Sequence, residues 1–279
     1  MSTAGSFNTS DVRSWQQPQA DTSKDVQYAK PYVAPPRLSL GLDFLDIDRS
    51  ANVRVKALAS NVTKTGFKVN VDSWGDSKLY TGGVSWLEQA PANLEYQSGQ
   101  FSTTDDHPWN QPQLETSRRI NFDRPFVTPP NVVVFLNELD MSKDHNWRVT
   151  ATATDIDTAG FTIHINTWSD SILYSATAAW IAYPEDRKYV VSGSANVTDV
   201  RPWTTNQLEN SKAVSFAGAD FWKAPSVFMA INSLDIDHKA NLRLKVYPSD
   251  VTKDGMTWHA DSWGDTVLYS AGLSYICLV

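Results

Sequence analysis

The 279-residue chain has one cysteine, Cys277, so no intrachain disulfide and no zinc cluster built on cysteines can form. Packing alone must hold the fold. Basic residues are the minority, with 24 Lys and Arg against 31 Asp and Glu for a net charge of -7, and they are scattered without a basic stripe. That argues against nucleic acid and anionic membrane as partners. No apolar run approaches the roughly 18 residues a spanning helix needs, which argues against membrane insertion. The N-terminal MSTAGSFNTSDVRSW lacks the basic start and apolar core of a secretory signal. With so few cysteines, the expectation is a cytoplasmic protein or one released by a non-classical route. The chain also lacks GxSxG, HExxH and a phosphate-cradling glycine loop. What it does have is a globular share of hydrophobic residues, 41%, and eleven tryptophans, more than a core of this size requires.

A threefold repeat organises the sequence. Residues 42 to 86 align without a gap on 231 to 275, LDIDRSANVRV against LDIDHKANLRL and DSWGDSKLY against DSWGDTVLY, with 22 of 45 positions identical. A diverged middle copy reads LDMSKDHNWRV and NTWSDSILY. Equivalent tryptophans stand at Trp15, Trp109 and Trp203 and again at Trp74, Trp168 and Trp263, a period of 94 or 95 residues. Solenoid units run about 20 to 50 residues, so this period suits a small complete domain. The expected domains are 1–93, 94–187 and 188–279, jointed at the polar, proline-bearing stretches LEQAPANLEYQ and AYPEDRKY.

Within a copy, runs such as NVRVKAL, KVNVDSW and NVVVFLNEL alternate with period two and are rich in β-branched and aromatic residues, the mark of half-buried strands. Paired prolines at 35–36 and 129–130 and the tripeptides KTG, TAG and KDG punctuate them. No segment shows ten residues of helical period. Each copy therefore reads as an all-β, six-stranded antiparallel sandwich with two sheets of about three strands.

One polar and aromatic set recurs in all three copies: Asn52, Arg54, Trp74, Asp76 and Tyr80; Asn146, Arg148, Trp168, Asp170 and Tyr174; Asn241, Arg243, Trp263, Asp265 and Tyr269. A flat apolar ring beside a fork-shaped cation, a carboxylate and an amide is what a neutral sugar demands. Its C–H patches stack on a ring, and its hydroxyls need charge-assisted donors and acceptors at fixed angles. A second reading stands beside this one, in which Arg pairs with Asp as glue between repeats and the rings are sheet packing. Exposure of the rings separates the two.

No position is histidine in all three copies, since the five histidines are 107, 145, 164, 238 and 259, so no repeated triad or metal centre can be written. The chain reads as non-enzymatic and without cofactor. The Asp-x-Asp pairs, Asp46 with Asp48 and Asp235 with Asp237, suggest calcium, but the middle copy has Asp140, Met141, Ser142 there, so turn capping is the better reading. Asp11, Asp105 and Asp199, each four residues before a tryptophan and next to Arg13, His107 and Arg201, can be a loop salt bridge or a site wall. Cys277 lies in the apolar strand SYICLV, as a small buried hydrophobe would.

The order of these motifs resembles the H-type lectins, the family of snail agglutinins and of the C-terminal discoidin domain. The proline-rich strand entries PYVAPP and PFVTPP lead to LD, N-x-R-[VL], TGF or a variant, [ST]-W-x-D and LY, and the resemblance covers nearly the whole chain three times. It implies six-stranded sandwiches arranged as a threefold trimer, here an intrachain pseudo-trimer, with a homo-oligomer of pseudo-trimers possible. It further implies galactose or N-acetylgalactosamine-type glycans on glycoproteins or glycolipids as partners, bound near the interfaces. The family's site arginine falls on Arg54, Arg148 and Arg243, its Asn on Asn52, Asn146 and Asn241, and its Trp and Tyr on 74 and 80, 168 and 174, 263 and 269. Where the family places a histidine that grips an acetamido group, this chain has Gly75, Ser169 or Gly264. For the family's loop aspartate, Asp21, Glu115 and Glu209 lie in the corresponding region.

Overall fold

The computed structural model describes residues 3–279; residues 1 and 2, the start of the first expected domain, lie outside it. Among the described residues, eighteen strands fall six to a copy. The first copy holds β1 (Thr3–Asn8), β2 (Asp21–Gln27), β3 (Arg37–Ile47), β4 (Val53–Ser60), β5 (Gly66–Asp72) and β6 (Leu79–Gln89). The second holds β7 (Gln97–Ser102), β8 (Glu115–Asn121), β9 (Asn131–Met141), β10 (Trp147–Thr154), β11 (Gly160–Asn166) and β12 (Leu173–Tyr183). The third holds β13 (Val190–Asn196), β14 (Ser211–Ser215), β15 (Ser226–Ile236), β16 (Leu242–Ser249), β17 (Gly255–Asp261) and β18 (Leu268–Leu278). No helix among the described residues is long and apolar enough to cross a membrane.

Each copy holds the expected pair of three-stranded sheets, and each of these continues into a neighbouring copy. The sheets run β1-β6-β3-β16-β17-β14, β2-β5-β4-β9-β12-β7 and β13-β18-β15-β10-β11-β8. The first copy is thus hydrogen-bonded to the third through β3 and β16, to the second through β4 and β9, and the second to the third through β10 and β15. The ring is closed. Such fusion leaves no free edge along β3, β9 or β15, where a lone sandwich would expose unpaired backbone groups.

Side-chain alternation explains which face goes where. In β4, Val53, Val55 and Ala57 are buried toward the sandwich core, and Arg54 and Lys56 point the other way. In β3 the alternation is reset by a β-bulge at Asp43, which has no partner across the ladder; Asn137 and Asn232 are the bulge residues of β9 and β15. The extra residue re-aims the second half of the strand, so Leu45 and Ile47 stay in the core while Asp46 turns outward.

Before the bulge, the outward faces of β3, β9 and β15 meet around the pseudo-threefold axis. Gly41, Phe135 and Ala230 occupy one equivalent position and come together there. A Cβ on Gly41 would lie 2.4 Å from Ala230 Cβ and 2.6 Å from the Phe135 ring. One layer away the equivalent residues are Ser39, Val133 and Phe228, and the Phe228 ring packs on Phe135 at 4.6 Å between centroids. The three copies fill one axis with unequal side chains.

At the Asp43 bulge, Ser85 Oγ donates to Oδ2 at 2.6 Å, yet burial pushes the carboxyl up to about 7. Its equivalents are neutral amides. A folded-state value above the unfolded one, about 3.9, means the folded protein binds the extra proton between pH 4 and 7. Stability from this group is therefore full below pH 4 and lost as pH rises through 7. Asp43→Asn, which copies Asn137 and Asn232, should raise stability at pH 8. The full shift of about three units would be worth about 4 kcal/mol at 1.36 kcal/mol per unit; because the residue is only half-buried, about 2 kcal/mol is expected. Denaturation curves at pH 5 and pH 8 check this: the variant should gain clearly more at pH 8 than at pH 5, and a gain of equal size at both would remove the titration as its cause.

Candidate functional site

The repeated residues gather at the three junctions between copies, and each junction draws on two copies. At the first-to-second junction, Arg54 lies directly across the ladder from Asp140 of the second copy; Arg148 faces Asp235 and Arg243 faces Asp46 in the same way. Each arginine is a bridge. Its Nη1 donates at 2.6 Å to an aspartate of its own copy, Asp76, Asp170 or Asp265, and its Nε stands 3.3, 3.3 or 3.5 Å from the carboxylate of the neighbour.

The two carboxylates of each pair live in different surroundings. Asp76, Asp170 and Asp265 have side chains 75%, 61% and 77% exposed, and the arginine hydrogen bond holds all three below the usual carboxylate range. Asp170 reaches about 2, because His145 adds to the contact from Arg148. Asp46, Asp140 and Asp235 are half-buried, and desolvation pushes them up against the opposing pull of the arginine. In all three, Oδ1 is sealed from solvent and meets no well-aligned hydrogen-bond donor, and the arginine Nε that faces it is its partner across the junction.

The asparagines are partly spent on assembly. Asn52 Oδ1 accepts the backbone N–H of Lys143, Asn146 that of His238 and Asn241 that of Arg49, each across a junction. Only the amide Nδ2 end can serve a ligand. Trp74 stands against Asp140 closely enough for its indole N–H to help hold that carboxyl's charge, and Trp263 packs on Phe44 of the first copy at 5.0 Å. Trp74, Trp168 and Trp263 are half-buried.

The tyrosine does not join the arginine of its own copy, as the set was written from sequence. Tyr80 lies near Asp46 and Arg243, and Tyr269 near Asp235 and Arg148. Tyr80 donates to Asp48 at 2.6 Å, which raises the phenol to about 12, and Tyr269 donates to Asp237 at 3.1 Å. In the second copy the residue at the position of Asp48 and Asp237 is Ser142, which has no carboxylate for Tyr174. The grouping by copy fails because the sheet crosses the junction, and the residue opposite an arginine is contributed by the next copy. Asp48 and Asp237 also cap their turns, accepting the N–H of Ser50 and Lys239. Among the described residues no group of three or more metal-ligating side chains converges.

An open aromatic face exists, on tryptophans that mark the repeat but were left out of the site. Trp15, Trp109 and Trp203 are 55%, 61% and 59% exposed and stand edge-on to Tyr80, Tyr174 and Tyr269, each at 6.2 Å. Their loops are anchored rather than mobile. Arg13 donates to Thr22 Oγ1 and to the carbonyls of Leu79 and Tyr80; Arg201 makes the matching bonds to Asn210, Leu268 and Tyr269, and His107 meets Thr116. Asp11, Asp105 and Asp199 pair with none of these residues; Asp11 meets Lys24 Nζ at 3.9 Å and lines an opening between the first and third copies. Each closes a capping box on the one-turn 3-10 segment before the loop, accepting the N–H of Asn8, Ser102 or Asn196. Asp21, Glu115 and Glu209 are exposed at or just before the start of β2, β8 and β14.

At the turn after the second tryptophan, Gly75 and Gly264 have φ of +64° and +67°, and a Cβ there would lie 2.7 Å from Arg54 or Arg243 Nη1. The left-handed backbone and the guanidinium together exclude a side chain. Ser169 accepts the strain at φ 60°, in the copy where His145 reaches Asp170. The junctions differ further below the arginine: Lys56 pairs with Glu138 at 2.9 Å in the first, Thr150 faces Ser233 in the second, and Lys245 faces Phe44 in the third.

Comparison with known proteins follows this threefold division. A product of the ATP synthase subunits region of Fuscovulum blasticum, ORF 7, is 32% identical over 63 residues, 23% of this chain, and the match spans 55% of that protein's length. Among solved structures, recombinant discoidin II of Dictyostelium discoideum is 14% identical, with 67% of this chain and 96% of that one covered at a TM-score of 0.27. Wild-type discoidin II from the same organism gives 14%, 58% and 80% at 0.28. The profile of the H-type lectin domain matches residues 23–87, 117–183 and 211–277. With most of its length matched in three separate stretches, the chain belongs to the H-type lectin domain family.

Proposed function

We infer that the protein binds galactose-type sugars, galactose and N-acetylgalactosamine, at up to three sites, one on each junction, and performs no chemistry on them. The observation that carries this reading is the threefold recurrence of an arginine that holds an exposed carboxylate at a junction. The exposed Trp15, Trp109 and Trp203, each beside the tyrosine of the repeated set, supply open rings. Glue alone needs neither. The arginines do serve as glue as well, with side chains only 18%, 14% and 18% exposed, so both readings of the sequence describe part of what they do. Glycans on glycoproteins or glycolipids are the matching partners, because three sites fixed on one rigid body favour dense arrays of terminal sugars. At Gly75 and Gly264 nothing reaches for an acetamido group, so the two sugars should be read alike there.

The exposed aspartates give the cleanest test, since removing them leaves the core untouched. Asp76→Ala, Asp170→Ala and Asp265→Ala together should weaken galactose binding by roughly ten- to a hundredfold, the loss of one charge-assisted hydrogen bond per site, at an unchanged melting temperature. Titration calorimetry with galactose and with N-acetylgalactosamine measures it. Wild-type affinity in the triple variant would remove these aspartates from the site, and no binding by the wild type to either sugar would defeat the reading.

A further inference from the structure

Each junction is served by two tryptophans. One belongs to the arginine's own copy, Trp74, Trp168 or Trp263, half-buried beside the aspartate that the arginine holds. The other comes from the loop between the first two strands of the neighbouring copy and reaches the junction through the tyrosine. Trp15 meets Tyr80 near Arg243, Trp203 meets Tyr269 near Arg148, and Trp109 meets Tyr174, each edge-on at 6.2 Å. Edge-on contact covers at most one face of an indole, and with 55%, 59% and 61% of these residues exposed the other face is open. A large apolar ring left in water at three equivalent places has no packing duty there.

The loops that carry these rings are held in place and uncharged. In each, a backbone bond closes a turn around the tryptophan, from Gln17 N–H to Ser14, from Gln111 N–H to Pro108 and from Thr205 N–H to Pro202. Arg13, His107 and Arg201 pin the same loops to the sheet. Residues 14–20, 108–114 and 202–208 read SWQQPQA, PWNQPQL and PWTTNQL, without a charged side chain. In the first two loops Gln16, Gln17 and Gln19, and Asn110, Gln111 and Gln113, are exposed around the ring. The third differs, because Asn206 Oδ1 accepts the N–H of Leu268 and Gln207 Nε2 donates to the Glu209 carbonyl. An open indole among neutral amides suits the C–H face and hydroxyls of an uncharged sugar and offers nothing to a charged one.

We propose that Trp15, Trp109 and Trp203 are platforms for a second sugar, the neutral hexose next to the terminal residue at the junction, whose C–H face lies on the open indole while its hydroxyls meet the loop amides. The inference rests on the reading of the junctions as terminal-sugar sites. Position follows from the tyrosine, whose ring touches the tryptophan and whose hydroxyl, in Tyr80 and Tyr269, donates to Asp48 or Asp237 at the junction. Neutrality follows from the uncharged loops. Because each loop is already fixed, ordering the ring on binding costs little. The platforms are unequal: Trp15 and Trp109 keep three exposed amides each, whereas Trp203 has Thr204 and Thr205 and two amides turned back to the protein.

Galactose serves as the terminal sugar alone, and lactose and melibiose as two neutral disaccharides that end in galactose but are linked differently; calorimetry measures all three. The wild type should bind at least one disaccharide roughly five- to tenfold more tightly than galactose. Trp15→Ala, Trp109→Ala and Trp203→Ala together should abolish that advantage and leave galactose affinity within about twofold of wild type. Trp15→Phe, Trp109→Phe and Trp203→Phe, which keep a flat ring, should retain most of it. Should the alanine variant fail to fold, glutamine at the same three positions removes the ring and keeps a side chain. No advantage for either disaccharide, or one that survives loss of the rings, would overturn the platforms and leave the junction reading standing. Galactose affinity that falls as far as the disaccharide's would move the rings onto the terminal sugar and overturn the proposal as well. Ring-dependent disaccharide binding without any galactose binding would keep the platforms and overturn the junction reading, and silence with all three sugars would overturn both.

Discussion

Truncating Phe135 to alanine is expected to cost the fold about 3 to 5 kcal/mol, the range for removing a fully buried phenylalanine from a close-packed core. Native stabilities of about 5 to 15 kcal/mol make that a large share. The ring is fully buried on the pseudo-threefold axis against Phe228, and the equivalent residues, Gly41 and Ala230, are too small to close over the space it leaves. Chemical denaturation reads the loss directly, and a cost below about 1 kcal/mol would mean that the axis is not packed as described. A double-mutant cycle adds a sharper test. Gly41→Ala alone forces a Cβ to within 2.4 Å of Ala230 and 2.6 Å of Phe135, so it should destabilise; in the Phe135→Ala background the strand can shift into the vacated space. The two changes should therefore couple by about 1 kcal/mol or more, where independent sites add.

The same axis shows what a sequence can and cannot disclose. Period two in NVVVFLNEL and NVRVKAL gives strands and their buried faces, because alternation is local and the core side is the apolar side. It does not give the partner strand. Arg54 and Asp140 are 86 positions apart, and nothing in either run says that they face each other across a junction. Hence the repeated polar set was legible as a set but was sorted by copy, and Tyr80 was placed with Arg54 when the fused sheet puts it near Arg243. The open rings of Trp15, Trp109 and Trp203 were visible as repeat marks, but exposure is decided by tertiary packing. Aspartates 11, 105 and 199 did carry a readable signal, Asn or Ser three residues before Asp, which is a capping box with a shorter acid. Gly41, Phe135 and Ala230 carried another: where one aligned position varies between the smallest residue and a large ring, complementary volumes sharing one space are a physical reason for it.

Removing an arginine should show how far assembly and binding share the same atoms. Arg54→Ala leaves Asp140 half-buried with no cation, while its Oδ1 already lacks a hydrogen-bond donor. Breaking a buried pair costs about 3 to 5 kcal/mol; these pairs sit near the rim, so about 2 to 4 kcal/mol per junction is expected. All three replacements together then approach the whole stability of a domain, and loss of sugar binding in such a variant would report unfolding instead of a missing contact. The informative protein is Arg54→Ala with Asp140→Asn, which removes the orphaned charge along with its partner. Its stability should recover at least half of what Arg54→Ala loses, because the penalty lies mainly in the uncompensated carboxylate. The exposed Asp76 should add nothing to this balance, since its released charge remains in water. Urea denaturation at pH 7 of the single and double variants measures both numbers. An Arg54→Ala protein as stable as wild type would show that the ladder and the axis hold the ring closed without the arginines, which would leave sugar recognition as the one role to explain their threefold recurrence.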